Sequence, residues 1–310
     1  ADILDLTFEQ TIGEIEKKNP RILMITLLTP TYNEIVRLSN TLKNRNPYLK
    51  IIVGGPHLVA SNPEETIKNE CFDIGVNGEA EYTTLELVQH MLAGRDYSAI
   101  KGIIYMTDNG AVKTPPRELI QNLDELPMPA YHLLPPMGLY RPQIHTFRYR
   151  PVIPMTTSRG CPHRCIFCDQ GVFGNRFRYI SGKKIVDQME ELQKKYGARE
   201  ITFCDDVFTL SKRRILEMCD EIEKRKLKIA WNCSSRVDHL NRDLLKRMKM
   251  AGCWMIAMGI ESGNQEILDF IKKDVKLEKI REVTNWAHEE GIKVRGFFQI
   301  GHPKETEQTI

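Results

Sequence analysis

The sequence predicts an α/β protein in two parts: an N-terminal open α/β sheet, then a partial barrel of βα units. Three observations predict it. Short apolar runs alternate with stretches whose apolar residues recur at helical spacing, and this continues through most of the 310 residues. A proline-dense segment over 114–150 interrupts the alternation once. Most apolar runs stop at glycines or paired polar residues, where ligands collect beyond the carboxyl ends of parallel strands.

In the first part, Thr7 and Gln10 form a capping box for a helix carrying Phe8, Ile12 and Ile15, which Asn19-Pro20 ends. The continuous apolar run 21–28 reads as a strand covered on both faces, and 49–53 as the next. Ile35, Leu38 and Leu42 mark the helix between them. Pro63 opens another helix, 73–76 is a short strand, and Leu85, Val88 and Leu92 give a helix that Gly94 stops. Thr107-Asp108-Asn109-Gly110 between two short runs signals a hairpin. Three loops fall on the ligand edge: Thr29 to Asn33, Gly54-Gly55-Pro56-His57, and Gly78-Glu79. Gly54-Gly55 would let a ligand approach the backbone closely, although a plain tight turn explains the pair as well.

Pro115, Pro116, Pro127, Pro129, Pro135, Pro136 and Pro142 forbid long helices over 114–150, so this reads as an extended connector. The expected division is 1–113, 114–150 and 151–310. Beyond the connector, strands are expected at 152–157, 200–204, 228–233, 253–258 and 292–300, with helices between. Five βα units joined by right-handed crossovers curl into a full or partial barrel. The ends read as cut. Residues 1–6 resemble the end of a strand and 306–310 the start of a helix, so the chain is expected to be a piece of a longer protein.

Composition excludes several classes. Net charge is +3, too small to argue for nucleic acid, and basic residues are interspersed with acids. No apolar run approaches the roughly 20 residues of a membrane-spanning helix. Ala1-Asp2-Ile3-Leu4-Asp5 carries no basic leader. Of eight cysteines, Cys71, Cys204, Cys219, Cys233 and Cys253 are scattered without a pairing pattern, which points to a reducing cytoplasm.

The remaining cysteines form the run Cys161-Pro162-His163-Arg164-Cys165-Ile166-Phe167-Cys168. One loop can aim all three sulfurs at a single object, and an iron–sulfur cluster fits best. Three thiolates on a four-iron cluster would leave one iron open to a ligand. A Cys3His zinc site using His163 is the competing reading, but that histidine lies between the first two cysteines and would crowd the loop. Polar groups at the other strand ends are Asp205-Asp206, Ser234 with Arg236, Glu261-Ser262, and Glu305. Acids and an arginine around an open iron suit a zwitterionic amino acid, and S-adenosylmethionine (SAM) is such a ligand.

The Cys-x3-Cys-x2-Cys run, with Phe167 before its last cysteine, resembles the radical SAM superfamily over about residues 150–310. The resemblance implies that Cys161, Cys165 and Cys168 hold a [4Fe-4S] cluster. It puts Phe167, Ile300 and Gly301 near the SAM adenine and Glu261 near the ribose, with Ser262 a further SAM contact. Asp205-Asp206 replace the Gly-Gly-Glu run that often touches the methionine amino group, so which acid does so is open. Ser234 and Arg236 complete the expected SAM contacts. The cluster would cleave SAM reductively to a 5′-deoxyadenosyl radical.

The first part resembles the cobalamin-binding domain that precedes the barrel in one large subgroup. The carriers are Thr29-Pro30-Thr31-Tyr32, Val53-Gly54-Gly55-Pro56-His57, Gly78-Glu79 and the connector run Asn122-Leu123-Asp124-Glu125-Leu126-Pro127. Thr29, Thr31, Tyr32, Gly54, Gly55, Pro56, His57, Gly78 and Glu79 become candidate cobalamin contacts. No Asp-x-His-x-x-Gly run supplies a cobalt ligand. Two pieces of the pattern are not found: the first βα unit of a Rossmann-like cobalamin-binding domain and the sixth strand of a (β/α)6 TIM-like barrel. The expected function is methyl transfer to an unactivated carbon of a small-molecule substrate, with flavodoxin or ferredoxin as electron donor. A radical cyclase is the alternative enzyme. A methylthiotransferase would need a second cluster, yet only Cys71 lies in the first part. A non-enzymatic cluster sensor or scaffold would not need the strand-end carboxylates.

Overall fold

The computed structural model describes residues 6–140, 142–143 and 145–310. Of the strand end expected at 1–6, all but Leu6 lies outside the described residues. The chain divides into two compact units. One holds Asp2–Ile120 with Asp169–Gly174, and the other Gln121–Cys168 with Asn175–Ile310.

In the first unit, α1 (Phe8–Lys18) starts with the expected capping box on Thr7 and leads into β1 (Ile22–Thr26). Then come α2 (Tyr32–Arg45), β2 (Lys50–Gly54), α3 (Pro56–Ala60) and α4 (Pro63–Ile67). β3 (Ile74–Val76), α5 (Glu81–Leu92), β4 (Ile103–Thr107) and β5 (Gly110–Lys113) complete it. The sheet order is β1-β2-β3-β4-β5. The first three strands are parallel, so their carboxyl ends share one edge, and β4–β5 is the expected hairpin. Apolar residues on the two sheet faces form separate clusters, one around Ile12, Ile51 and Val53, the other around Ile52, Ile74 and Leu87. One expectation fails. β1 is an edge strand with Met24 48% exposed, not a strand covered on both faces. An apolar run reports strand propensity, while its place in the sheet is set by pairing it cannot encode.

The second unit begins with short 3-10 turns at Leu123–Glu125, Tyr131–Leu133 and Met137–Leu139, as its prolines require. Tyr131 is buried and its hydroxyl donates to the Pro154 carbonyl at 3.1 Å, so it packs rather than lining a mouth. β6 (Val152–Met155) is followed by a small ribbon of β7 (Ser158–Arg159) and β8 (Arg178–Tyr179), with the cysteine loop between its arms. Next come α6 (Gly182–Tyr196), β9 (Glu200–Phe203), α7 (Lys212–Arg225), β10 (Ala230–Ser235) and α8 (Arg242–Met250). β11 (Cys253–Glu261), α9 (Gln265–Phe270), α10 (Leu277–Glu289) and β12 (Lys293–Phe298) follow. The sheet runs β12-β11-β10-β9-β6, parallel throughout. This is the five-unit row the sequence predicted. The helix start expected at 306–310 is a single hydrogen-bonded turn, too short to propagate. Among the described residues, no helix is long and apolar enough to cross a membrane.

Candidate active site

The cysteine loop leaves β7 through Gly160, whose φ of 80° admits glycine readily. Two backbone bonds hold it: the Ile166 N–H donates to the Ile271 carbonyl and the Cys168 N–H to the Cys165 carbonyl, both at 3.1 Å. None of the three is in a disulfide. Burial pushes the Cys161 thiol up. Asp206 and Cys165 add to that shift, and the Arg236 guanidinium opposes it. Arg236 follows the end of β10 and Asp206 the end of β9. The Arg236 Nη1 lies 3.5 Å from the Cys165 Sγ. His163 turns its Nε2 to the Nε2 of His239 at 2.8 Å, and no zinc set including Cys161, Cys165 or Cys168 is formed among the described residues.

The two adjacent acids separate sharply. Asp205 is 3% exposed. Its carboxylate accepts from the Thr157 N–H and hydroxyl, both at 2.5 Å, from the Ser158 N–H at 3.0 Å and from the Arg214 Nη2 at 3.1 Å. Arg214 also donates to the carbonyls of Thr157 and Phe208. Asp205 thus ties the strand before the cysteine loop to β9, and the expectation that it could meet SAM is corrected: both its oxygens are spent inside the protein. Asp206 is exposed, and desolvation together with the Asp205 charge raises its carboxyl pKa.

At the end of β11 the backbone departs from regular pairing between Gly259 and Glu261. Glu261 adopts φ of 69°, a conformation uncommon for a residue with a side chain. Its carboxylate folds back to the Lys273 Nζ at 2.7 Å, and both side chains are 7% exposed. Gly259 makes the room, since a Cβ there would lie 2.5 Å from Glu261 Oε1 and 2.8 Å from Lys273 Nζ. At the position where a ribose contact was expected, Glu261 thus has its Oε1 engaged by Lys273. Lys273 escapes sequence reasoning because Lys272-Lys273-Asp274 reads as a solvated run. Positive φ at Lys272 and Asp274 turns the residue between them inward, and Lys273 is 5% exposed. Ser262 is buried and its hydroxyl accepts from the Asn264 N–H at 3.1 Å. Ser234 is half-buried inside β10 rather than after it.

Phe167 is partly exposed, with the His302 ring 5.7 Å away and Lys273 Nζ 6.0 Å from its centroid. Ile300 is 75% exposed. Gly301 and His302 donate their N–H groups to Glu305 at 2.6 and 2.9 Å, so this carboxylate braces the loop. Three thiols on one braced loop, with a guanidinium beside one of them, form a donor set that fits a cluster of iron and sulfide.

In the first unit, the loop after β1 joins the loop after β2: the Leu27 N–H donates to the Gly54 carbonyl and the His57 N–H to the Leu27 carbonyl. Thr29 Oγ1 lies 3.0 Å from His57 Nδ1, and the Tyr32 ring is 4.4 Å from that imidazole. Thr31 donates to the Leu28 carbonyl, which shapes the turn. Gly55 has φ of 98°, and a Cβ there would lie 2.7 Å from Thr26 Cγ2. Pro56 opens α3, and Gly78 has φ of 100° with open space where a side chain would project. This glycine-bared sheet edge fits a broad, flat group. Glu79 differs from its expected role: it is buried and accepts from the Ile120 N–H at 2.8 Å.

Residues 155–310 match the model of the radical SAM superfamily, and residues 1–88 that of the B12 binding domain. An uncharacterized methyltransferase of Pyrococcus horikoshii is 38% identical over 99% of this chain and 66% of its own length. An anaerobic magnesium-protoporphyrin IX monomethyl ester cyclase of Rubrivivax gelatinosus is 30% identical over 99% of this chain and 55% of its own. The chain thus spans less than two thirds of these relatives. The structure of the radical SAM methyltransferase TsrM from Kitasatospora setae, with tryptophan substrate and a SAM analogue bound, superposes with a TM-score of 0.78. The match covers 97% of this chain and 61% of that one at 20% identity. The cobalamin-dependent radical SAM enzyme OxsB with aqua-cobalamin bound gives 0.77 over 95% of this chain and 43% of that one at 22% identity. These structural likenesses concern the fold.

Proposed function

Because the chain belongs to the radical SAM superfamily and carries a B12-binding domain, we propose that it acts as a cobalamin-dependent methyltransferase on an unactivated carbon of a small molecule. The supporting observation is the placement of three cysteines, none in a disulfide, on one braced loop preceding the first crossover of a five-stranded parallel sheet. A bound [4Fe-4S] cluster supplies an electron for reductive cleavage of SAM, and cobalamin supplies a methyl carrier. Cys161, Cys165 and Cys168 hold the cluster. Asp206 receives the SAM amino group, because it is the exposed acid of the strand-end pair while Asp205 is bonded inside the protein. Phe167, Ile300 and Gly301 offer the adenine an apolar and backbone surface, with Ser234 and Ser262 at the flanks. Thr29, Thr31, Tyr32, Gly54, Gly55, Pro56, His57 and Gly78 form the cobalamin edge. A flavodoxin or ferredoxin serves as electron donor in the cytoplasm. In this reading the two binding regions are divided as 1–113 and 151–310, with 114–150 as connector.

The test is anaerobic reconstitution, then incubation with SAM and a strong reductant. 5′-Deoxyadenosine is expected from the wild type and not from Cys165→Ala, which also loses the cluster absorbance. Cleavage retained in that variant would remove the ligand assignment. The 30% identity to a protein named as a ring cyclase favours a second reading. Deuterated methyl-SAM separates the two, since a methyltransferase passes label to its product and a cyclase does not.

A further inference from the structure

Arg236 was expected among the SAM contacts, where a guanidinium would meet the carboxylate, yet its own bonds leave it little freedom to do so. It is 4% exposed. Its Nε and Nη2 grip the two oxygens of Asp238, each at 3.0 Å. Nη2 also donates to the Lys273 carbonyl at 2.5 Å. The remaining nitrogen, Nη1, points at Cys165 Sγ. A planar fork gripped on two sides has one direction left for its third nitrogen, and that direction is the thiol. Asp238 is held in turn beside His239, which meets His163 from the cysteine loop. The cluster of His163, Asp238 and His239 lies close enough to hold a metal ion. The guanidinium already occupies both Asp238 oxygens, however, and a second cation there would be repelled.

We propose that Arg236 is a positioning residue for the cluster: it fixes Cys165 and, by an N–H to sulfur bond and a nearby full positive charge, raises the cluster's reduction potential. Potentials of such clusters are set by net charge, hydrogen bonds to the sulfurs and exposure, and Arg236 acts on the first two. A thiolate that receives a charged donor presses less electron density onto its iron, so the reduced state is stabilised. Lys273 joins the same device through its carbonyl, while its ammonium pairs with Glu261. The β10 and β11 ends are thereby coupled to one cysteine.

This inference rests on the cluster assignment, and its failure can be told apart from the failure of that assignment. The reconstituted wild-type protein and Arg236→Gln are titrated electrochemically, with the reduced cluster followed by electron paramagnetic resonance. Wild-type protein that assembles no cluster removes the assignment itself. With the cluster assembled in both, the variant is expected to titrate at lower potential. The expected shift is at least a tenfold change in the reduced-to-oxidised ratio at fixed potential, about 59 mV for a one-electron couple. SAM affinity, measured on the same samples, is expected to change little. An unchanged potential with weakened SAM binding overturns the proposal and returns Arg236 to the carboxylate. Should Arg236→Gln hold no cluster, Arg236→Lys decides. It keeps the charge and removes the fork that aims Nη1 at Cys165, so a potential below wild type supports the sulfur bond as a cause and an equal one overturns that bond.

Discussion

Asp205 and Asp206 are neighbours in sequence with opposite fates. Asp205 is paired with Arg214, and both side chains are fully buried. Removing one partner of a buried pair leaves an uncompensated charge, so Asp205→Ala is expected to cost about 3–5 kcal/mol in denaturant unfolding. Asp206→Asn is expected to weaken SAM binding, measured by equilibrium titration. Its pH dependence has a definite sign. The folded carboxyl titrates above its ordinary value of 3.8, because of desolvation and the Asp205 charge. The folded state then binds the proton more tightly than the unfolded chain, so this contribution to stability is full below the unfolded pKa and is lost as pH rises through the folded one. Asp206→Asn removes that slope, and unfolding curves of the cofactor-free proteins across the acid range check it. A stability difference that stays flat with pH would sink the assignment.

Among the elements, the end of β11 and the start of β9 do different work. Gly259→Ala places a methyl against the Glu261–Lys273 pair and is expected to cost about 1–3 kcal/mol by overpacking. At the other end of the sheet, Glu200 is fully buried. It accepts from the N–H groups of Arg148 and Tyr149, from Asn232 and from Trp254, at 2.7 to 2.8 Å. It therefore ties the incoming connector to β9, β10 and β11. In a barrel-like sheet that end serves stability rather than chemistry. Glu200→Ala is expected to lose about 2–4 kcal/mol, from several orphaned donors, while the reconstituted protein still binds its cluster. Stability comes from calorimetry or denaturant, and cluster content from absorbance and iron assay. The sequence marked Glu200 only as the start of a strand, because its partners come from three separate segments.

For the whole molecule, the two units have cores of their own, so their ligands should be lost separately. Gly55→Val strains a positive φ and drives its side chain into Thr26 and the Leu27 carbonyl. It is expected to lower cobalamin retained on gel filtration and leave cluster absorbance intact. Cys165→Ala is expected to do the reverse. Loss of both ligands from either substitution would contradict this independence.

The sequence by itself determined the strand and helix order, the cysteine loop and the strand-end location of the polar groups. These are local properties: apolar periodicity, capping residues and ligand spacing lie within a few residues of one another. Tertiary structure alone decided which groups are free to act. Arg236 meets Cys165 across 71 positions and Asp205 meets Thr157 across 48. Glu261 turns to Lys273, and Glu79 to the Ile120 backbone. A charged side chain at a strand end is legible from its neighbours, but its partner is not. Burial makes an unpaired charge costly, so the fold spends some of these groups on each other and leaves others to the ligand.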